Sequence, residues 1–260
     1  MLAFQNLSFV FGDKKLSCAA DVLKTTQKLS EVMVLEPFTS LSKENNLSAL
    51  VFPRQVHGIH ALALTDKQSI EKAFSGHKEA DIVSTGLENV GIGVMTADCL
   101  PIILYSPQKN AVAVVHAGWR GTVLNVAAAA VEHLKNTYGC APQKIFAFFG
   151  PCAHVESYEA SPELRAALQN SPYRDSVLEQ RGSSAPHFNM VRMNQRQLEF
   201  AGILSCNCFL AYSGDTITNT NYWSYRRDGD LSGRQITMAF LKGKSHEDTC
   251  CTLSYRTNNS

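Results

Sequence analysis

Ala111-Val112-Ala113-Val114-Val115-His116-Ala117-Gly118-Trp119-Arg120-Gly121-Thr122 is the stretch on which the reading of this chain turns. Small and β-branched apolar residues from Ala111 to His116 predict a buried strand. The residues that follow change period. Val123, Val126, Ala127, Ala130, Val131, Leu134 and Tyr138 recur at three and four residues, which predicts a long helix stopped at Gly139. Between strand and helix stand a histidine, an arginine and two glycines. Glycine lets the backbone come close to a ligand, and a helix N-terminus favours an anion.

Upstream, Gly91 to Thr96 and Leu100 to Tyr105 read as strands joined by Ala97-Asp98-Cys99. Pro101 requires that the second of them start there or lie at a sheet edge. Ala80 to Thr85 is a shorter strand followed by Gly86. Ala49 to Val56 is a strand leading into Gln55-Val56-His57-Gly58, and residues 36 to 48 are polar enough to read as loop. Downstream, Lys144 to Phe149 forms a buried strand ending at Gly150-Pro151-Cys152. Ser161-Pro162-Glu163 caps a short helix. Asn189 to Ala201 is a second long helix ended near Gly202, Cys208 to Tyr212 and Ile236 to Leu241 are strands, and Tyr222 to Arg234 is aromatic and basic. Strands outnumber helices and come in runs, so the fold class is α+β and layered rather than a doubly wound parallel sheet. No nucleotide-binding glycine loop is present, because Gly91-x-Gly93 lacks a third glycine and a following helix.

The chain has 260 residues, 45% of them hydrophobic and 18% charged, with a formal net charge of +1. That composition is globular, and the charge leaves no general case for nucleic acid or an anionic membrane surface. Met1 to Lys15 does not read as a signal peptide: Gln5, Asn6 and Ser8 interrupt its apolar residues and no basic segment precedes them. No apolar run approaches the roughly 20 residues that span a bilayer. The expectation is a cytoplasmic protein whose eight cysteines are mostly reduced, with Cys206-x-Cys208 and Cys250-Cys251 as buried or tail thiols.

His57, Cys99 and His116 offer the ligand chemistry of a catalytic zinc, which takes three protein ligands and keeps a fourth position open. Such an ion lowers the pKa of a bound water to about 7. The same residues allow two other readings. They are ordinary packed side chains, or Cys99 is a nucleophile with His116 or His57 as its base. The second histidine favours metal, since a hydrolase needs only one. Of the other histidines, His60 is expected on the opposite strand face from His57, His133 on the polar side of the long helix, and His77, His187 and His246 in solvent. His154 is a weaker candidate for the site lining. Arg54, Arg120, Arg226 and Arg227 stand beside these motifs, and a guanidinium fork suits phosphate or carboxylate. Trp223, Tyr225 or Phe149 could stack on a flat ring. A phosphate site beside an aromatic wall points to a nucleoside or nucleotide-like substrate. A solvated basic loop is the alternative.

These motifs, with Ala80-Asp81, Thr96-Ala97-Asp98-Cys99-Leu100-Pro101, Tyr158-Glu159, Ser224-Tyr225-Arg226-Arg227-Asp228 and Gly233-Arg234, fall in the order of a known family. The chain resembles the YfiH-like, laccase-domain family over roughly residues 50 to 241. The resemblance implies a single domain over residues 1–241, layered as α/β/β/α with mixed sheets and related to the catalytic fold of cytotoxic necrotizing factor, followed by a polar tail, 242–260. It implies Zn2+ on His57, Cys99 and His116, with Cu2+ as the other metal, and a monomeric or weakly associating protein. It implies phosphorolysis of adenosine, inosine, guanosine and methylthioadenosine, and deamination of adenosine. Arg54, Arg120, Arg226 and Arg227 would then be the substrate contacts, and Asp98 or Glu159 the proton shuttle. Three other functions stay open: a cysteine-dependent hydrolase or deamidase using Cys99 with His116, a copper-dependent polyphenol oxidase, and a purine-binding protein without turnover. The oxidase would need many more histidines in His-x-His pairs. The chain departs from the family at Arg54, where a histidine is usual, at Ala160 and at Ser232.

Overall fold

A computed structural model describes residues 4–19, 35–75, 78–181 and 185–243. The chain runs β1 (Leu7–Phe11), β2 (Ser17–Cys18), α1 (Phe38–Glu44), β3 (Ala49–Val51), β4 (Ala61–Leu64), α2 (Lys67–Phe74), β5 (Ile82–Thr85), β6 (Val90–Thr96), β7 (Leu100–Ser106) and β8 (Ala111–Ala117). It continues through α3 (Trp119–Val123), α4 (Val126–Tyr138), β9 (Phe146–Phe149), α5 (Pro162–Ala167), α6 (Arg174–Val177), β10 (Leu178–Glu179), β11 (His187–Phe188), α7 (Met190–Phe200), β12 (Cys208–Phe209), α8 (Tyr225–Asp228) and β13 (Arg234–Leu241). Two mixed sheets result. One has the order β1-β13-β6-β3 with β2 beside β13, and the other has β12-β9-β7-β8-β5-β4. A two-stranded ribbon, β10 with β11, stands apart from both.

Period-2 alternation along the long strands builds three apolar layers. In β8, Ala113, Val115 and Ala117 face helices α4 and α7, whereas Val112 and Val114 face the other sheet. In β13, Ala239 and Leu241 fill the space between the sheets, and Ile236, Met238 and Phe240 pack outward under Phe38 and Leu41 of α1. The layers are therefore helix, sheet, sheet, helix, as the resemblance implied. Strands buried on both faces read as unbroken apolar runs, so sequence periodicity could not separate the two sheets.

Several local expectations change. Residues 36 to 48 contain a helix, because Phe38 and Leu41 lie one turn apart and bury against the outer sheet, overriding a weak local propensity. The strand expected from Ala49 to Val56 ends at Val51, shortly before Pro53. The long helix is two: Asn125 adopts a left-handed conformation (φ 64°) and separates α3 from α4. Pro101 is tolerated in the central strand β7 because it stands next to that strand's first residue. Gly139 ends α4 at φ 68° as expected, and Ser161 and Asn189 cap α5 and α7. Among the described residues no helix is long and apolar enough to cross a membrane. Residues 244–260, which include most of the polar tail, His246, Cys250 and Cys251, lie outside the described residues, as does His77.

Candidate metal centre

The three donors expected from sequence meet at one end of the sheet sandwich. Cys99 lies in the short turn from β6 to β7, where the chain crosses from one sheet to the other. His116 is the penultimate residue of strand β8 and shares the parity of Val112 and Val114, so it points between the sheets. His57 follows β3 in an irregular loop. The ligand atoms of His57, Cys99 and His116 all lie within 4.8 Å of one another, with His57 exposed, Cys99 half-buried and His116 buried. The two imidazoles meet edge to face at 4.8 Å, and His57 Nε2 stands 4.0 Å from Cys99 Sγ.

Asp81 organises this triangle. It precedes β5 directly opposite His116 in the β5–β8 ladder, where its carbonyl accepts the His116 amide at 2.7 Å. Its fully buried carboxylate accepts His116 Nδ1–H at 2.7 Å, the His57 amide at 2.9 Å, and the Gly58 and Val56 amides at 2.7 and 3.3 Å. Fixing the proton on Nδ1 leaves Nε2 as the electron-pair donor. The loop bonds also hold His57 in a left-handed conformation (φ 61°) that a residue with a Cβ adopts reluctantly. Gln55 pins the same loop from the other side: its amide donates to the Met95 carbonyl and accepts the Met95 amide, both at 2.8 Å.

Donor chemistry and space both suit a metal. Tetrahedral zinc sets its N and S donors about 3.5 Å apart, so the observed triangle needs only a small contraction. Gly118 leaves the room. A Cβ there would stand 2.8 Å from His57 Cδ2 and 3.0 Å from Cys99 Sγ. Without metal, the three groups form a charge relay of their own. Burial raises the Cys99 thiol, but the charge and hydrogen bond of His116, with help from His57, outweigh it and bring the pKa to about 6. Burial pulls His116 down, and the Cys99 thiolate and Asp81 overcome this and lift it to about 9. Burial likewise opposes the Asp81 carboxylate, yet His116 and the Gly58 and His57 amides leave it below the usual carboxylate range.

The arginines divide. Arg226 donates to the Glu159 carbonyl at 3.2 Å and lies 5.2 Å over the Tyr158 ring. Tyr158 itself is close enough to feel the site: burial, then the charges of Cys99 and Asp98, push its phenol well up. Arg120 stacks on Trp119 at 4.3 Å, two residues past Gly118. Arg54 meets Glu79 at 3.4 Å on the surface. Arg227, expected as a substrate contact, is a brace instead. Its nitrogens donate to the Thr216, Ile217 and Tyr222 carbonyls and to both oxygens of Asp228. Helix α7 secures the Trp119–Arg120 turn, since Asn194 and Gln197 bond the side chain and carbonyl of Thr122.

Other expectations are corrected by packing. Phe149 is fully buried in the helix-side core, so it is no stacking wall. Trp223 donates to Ser17 and is covered by Lys14 at 4.6 Å. Tyr225 remains exposed, with Arg234 over its ring. His133 is half-buried against Ser84 at 2.7 Å, His187 bonds the Val155 carbonyl at 2.7 Å, and His154 bonds Ser213 at 2.6 Å. His60 directly precedes β4, with its carbonyl on the amides of Asp81 and Ile82. Asp98, one of the two carboxylates considered for proton transfer, has both oxygens occupied by protein donors, whereas Glu159 is exposed. The roles of Asp81 and Gln55 were missed. Both residues stand in motifs of the family resemblance, and Asp81 is also a charged residue next to an apolar strand.

Residues 20–242 match the family described as multi-copper polyphenol oxidoreductase laccase. The chain is 31% identical over 202 residues to adenosine deaminase RL5 of an unknown prokaryotic organism, covering 76% of this chain and 77% of that protein. It is 32% identical over 180 residues to a purine nucleoside phosphorylase of Deinococcus radiodurans, covering 69% and 65%. The crystal structure of the hypothetical protein YfiH of Bacillus licheniformis superposes with a TM-score of 0.70 at 25% identity, covering 78% of this chain and 79% of that one. The similarity thus runs along most of the chain, and the protein belongs to the multi-copper polyphenol oxidoreductase laccase family, the YfiH-like enzymes.

Proposed function

We propose that this protein is a zinc-dependent purine nucleoside phosphorylase that also deaminates adenosine. The observation that carries the reading is the convergence of His57, Cys99 and His116, with His116 held by Asp81 in the tautomer that presents Nε2. The relatives named for these two activities give the substrate class. A bound zinc would supply Lewis-acid polarisation of a water or substrate oxygen. Cu2+ would fit the same donors.

The chain's own residues bind and orient. Arg226 and Arg120 offer guanidinium groups at the rim for phosphate, with Arg54 farther out on the surface. In phosphorolysis a phosphate oxygen bonds C1′ as the C1′–N9 bond breaks, and the electron pair leaves with the purine. The transition state is oxocarbenium-like by analogy with glycoside cleavage. Holding the phosphate in line contributes several kcal/mol through orientation. Tyr225 and Tyr158 provide the exposed and half-buried aromatic faces for a purine. Glu159, the exposed carboxylate of the two considered, is the proton carrier for deamination. Residues 1–241 act as one catalytic domain, since β1, β3 to β9 and β13 all contribute side chains to the layer between the sheets.

Adding zinc to the metal-depleted protein should restore phosphate-dependent release of base from adenosine, in proportion to metal up to one equivalent. A Cys99→Ala variant with full activity would overturn the ligand assignment. A second reading has its own support: in the metal-free state Cys99, His116 and Asp81 form a thiolate, imidazolium and carboxylate series suited to thiol chemistry. Activity that persists without metal and is abolished by alkylation of Cys99 would select it.

A further inference from the structure

Asp98 stands immediately before Cys99 and has a left-handed backbone (φ 83°), a conformation that a residue with a Cβ adopts at a cost and keeps where the surroundings enforce it. The surroundings here are specific. Asp98 Oδ1 accepts the Thr216 hydroxyl at 2.7 Å, and Oδ2 accepts the Arg226 backbone N–H at 2.6 Å. The Asp98 carbonyl accepts the Ala153 amide at 2.9 Å. Thr216 is fully buried, donates its amide to the Cys152 carbonyl at 2.9 Å, and its own carbonyl takes one donor of Arg227. One carboxylate therefore joins the turn that carries Cys99 to two later segments, 215–217 and 224–228. The second of these carries the Arg226 guanidinium over Tyr158.

We infer that Asp98 is a positioning residue that holds the Cys99 sulfur and the Arg226 guanidinium in register across the site, and that it does so through its acceptor geometry and not through its proton. The inference rests on the metal and phosphate reading above for its kinetic consequences, but its structural content concerns Cys99 and Arg226 alone. The alternative role, proton transfer, needs an oxygen that can reach substrate. Both oxygens are instead within 2.7 Å of protein donors.

The two roles separate in Asp98→Asn. The asparagine oxygen can accept the Arg226 N–H, and its NH2 can donate to Thr216, because a hydroxyl also accepts. The latch survives while the base is gone. Asp98→Ala removes both bonds, and Thr216→Val removes one in a variant of nearly equal volume. Three readouts apply: metal affinity by chelator competition, kcat and KM for phosphate across pH, and the alkylation rate of Cys99 in metal-free protein. D98N should stay within about threefold of the parent in all three, with an unshifted pH profile. T216V should weaken metal binding and raise the phosphate KM by about 3- to 10-fold, the scale of one hydrogen bond. D98A should lose about 10- to 100-fold in metal affinity, as when a ligand's supporting partner is removed. If D98N is as impaired as D98A, or if T216V and D98A match the parent, the latch is refuted. If the parent itself binds no metal and turns over no nucleoside, the functional reading fails, and the alkylation rates still decide whether Asp98 positions Cys99.

Discussion

Replacing Asp81 by asparagine should cost far more than the same exchange at Asp98, and the geometry says how much. Each partner of the Asp81 carboxylate is a donor: Oδ1 receives His57 N–H and His116 Nδ1–H, and Oδ2 receives the Gly58 and Val56 amides. An asparagine NH2 placed on either side faces two donors, so with His116 in its present tautomer two bonds are lost at a fully buried position. Hydrogen bonds to a charged group contribute about 1.5–3 kcal/mol each, which puts the loss at about 3–6 kcal/mol. Breaking a buried ion pair by removing one partner independently suggests about 3–5 kcal/mol. The amide has one way to recover a bond, by donating to His116 Nδ1. That moves the imidazole proton to Nε2 and removes the metal's electron pair. Urea unfolding of metal-free D81N should therefore show a stability loss of that size, and chelator competition should show at least about 10- to 100-fold weaker zinc binding. An unchanged unfolding midpoint together with unchanged zinc affinity would refute the role assigned to Asp81.

Gly118→Ala tests the space left for the ion. The backbone there (φ −72°) accepts any residue, so the effect is steric and local to His57 and Cys99. The expected outcome is a folded protein, by circular dichroism, that binds less than one-tenth of the parent's zinc at equal free metal. Alkylation of Cys99 tests the electrostatics. In metal-free protein the rate should rise with pH around a midpoint near 6, well below the ordinary thiol value, and stoichiometric zinc should suppress it. Stability should respond oppositely through the two partners. The lowered Cys99 pKa gives stability that is full above the unfolded value of 9.0 and is lost as pH falls through about 6. The raised His116 pKa gives stability that is full below 6.5 and is lost as pH rises through about 9. Between about 6.5 and 9 the thiolate–imidazolium pair and the unfolded thiol plus neutral imidazole bind equal numbers of protons, so this pair leaves metal-free stability flat there, as a urea series across pH would report.

Much of the architecture was legible in one dimension. Unbroken apolar runs at Gly91–Thr96, Leu100–Tyr105 and Ala111–His116 marked strands buried on both faces, and Ser161, Asn189 and Gly139 marked helix ends by local chemistry. Where local chemistry was weak, long-range burial decided: Phe38 and Leu41 made a helix of a polar stretch because an apolar sheet face lay beneath them.

From the residues alone came the three side chains that converge, because His and Cys beside strand ends and glycines advertise their chemistry whatever their surroundings. What those residues could not disclose was which polar neighbours are already engaged. Asp98 and Arg226 are joined across 128 positions, and Asp81 and His116 across 35, so neither bond leaves a mark in local spacing. Only folding distinguishes Arg227, whose donors are absorbed by carbonyls and Asp228, from Arg226, whose guanidinium lies over an aromatic ring at the site's rim. Charge and residue type are properties of the chain, whereas the satisfaction of each donor and acceptor is a property of the packed molecule.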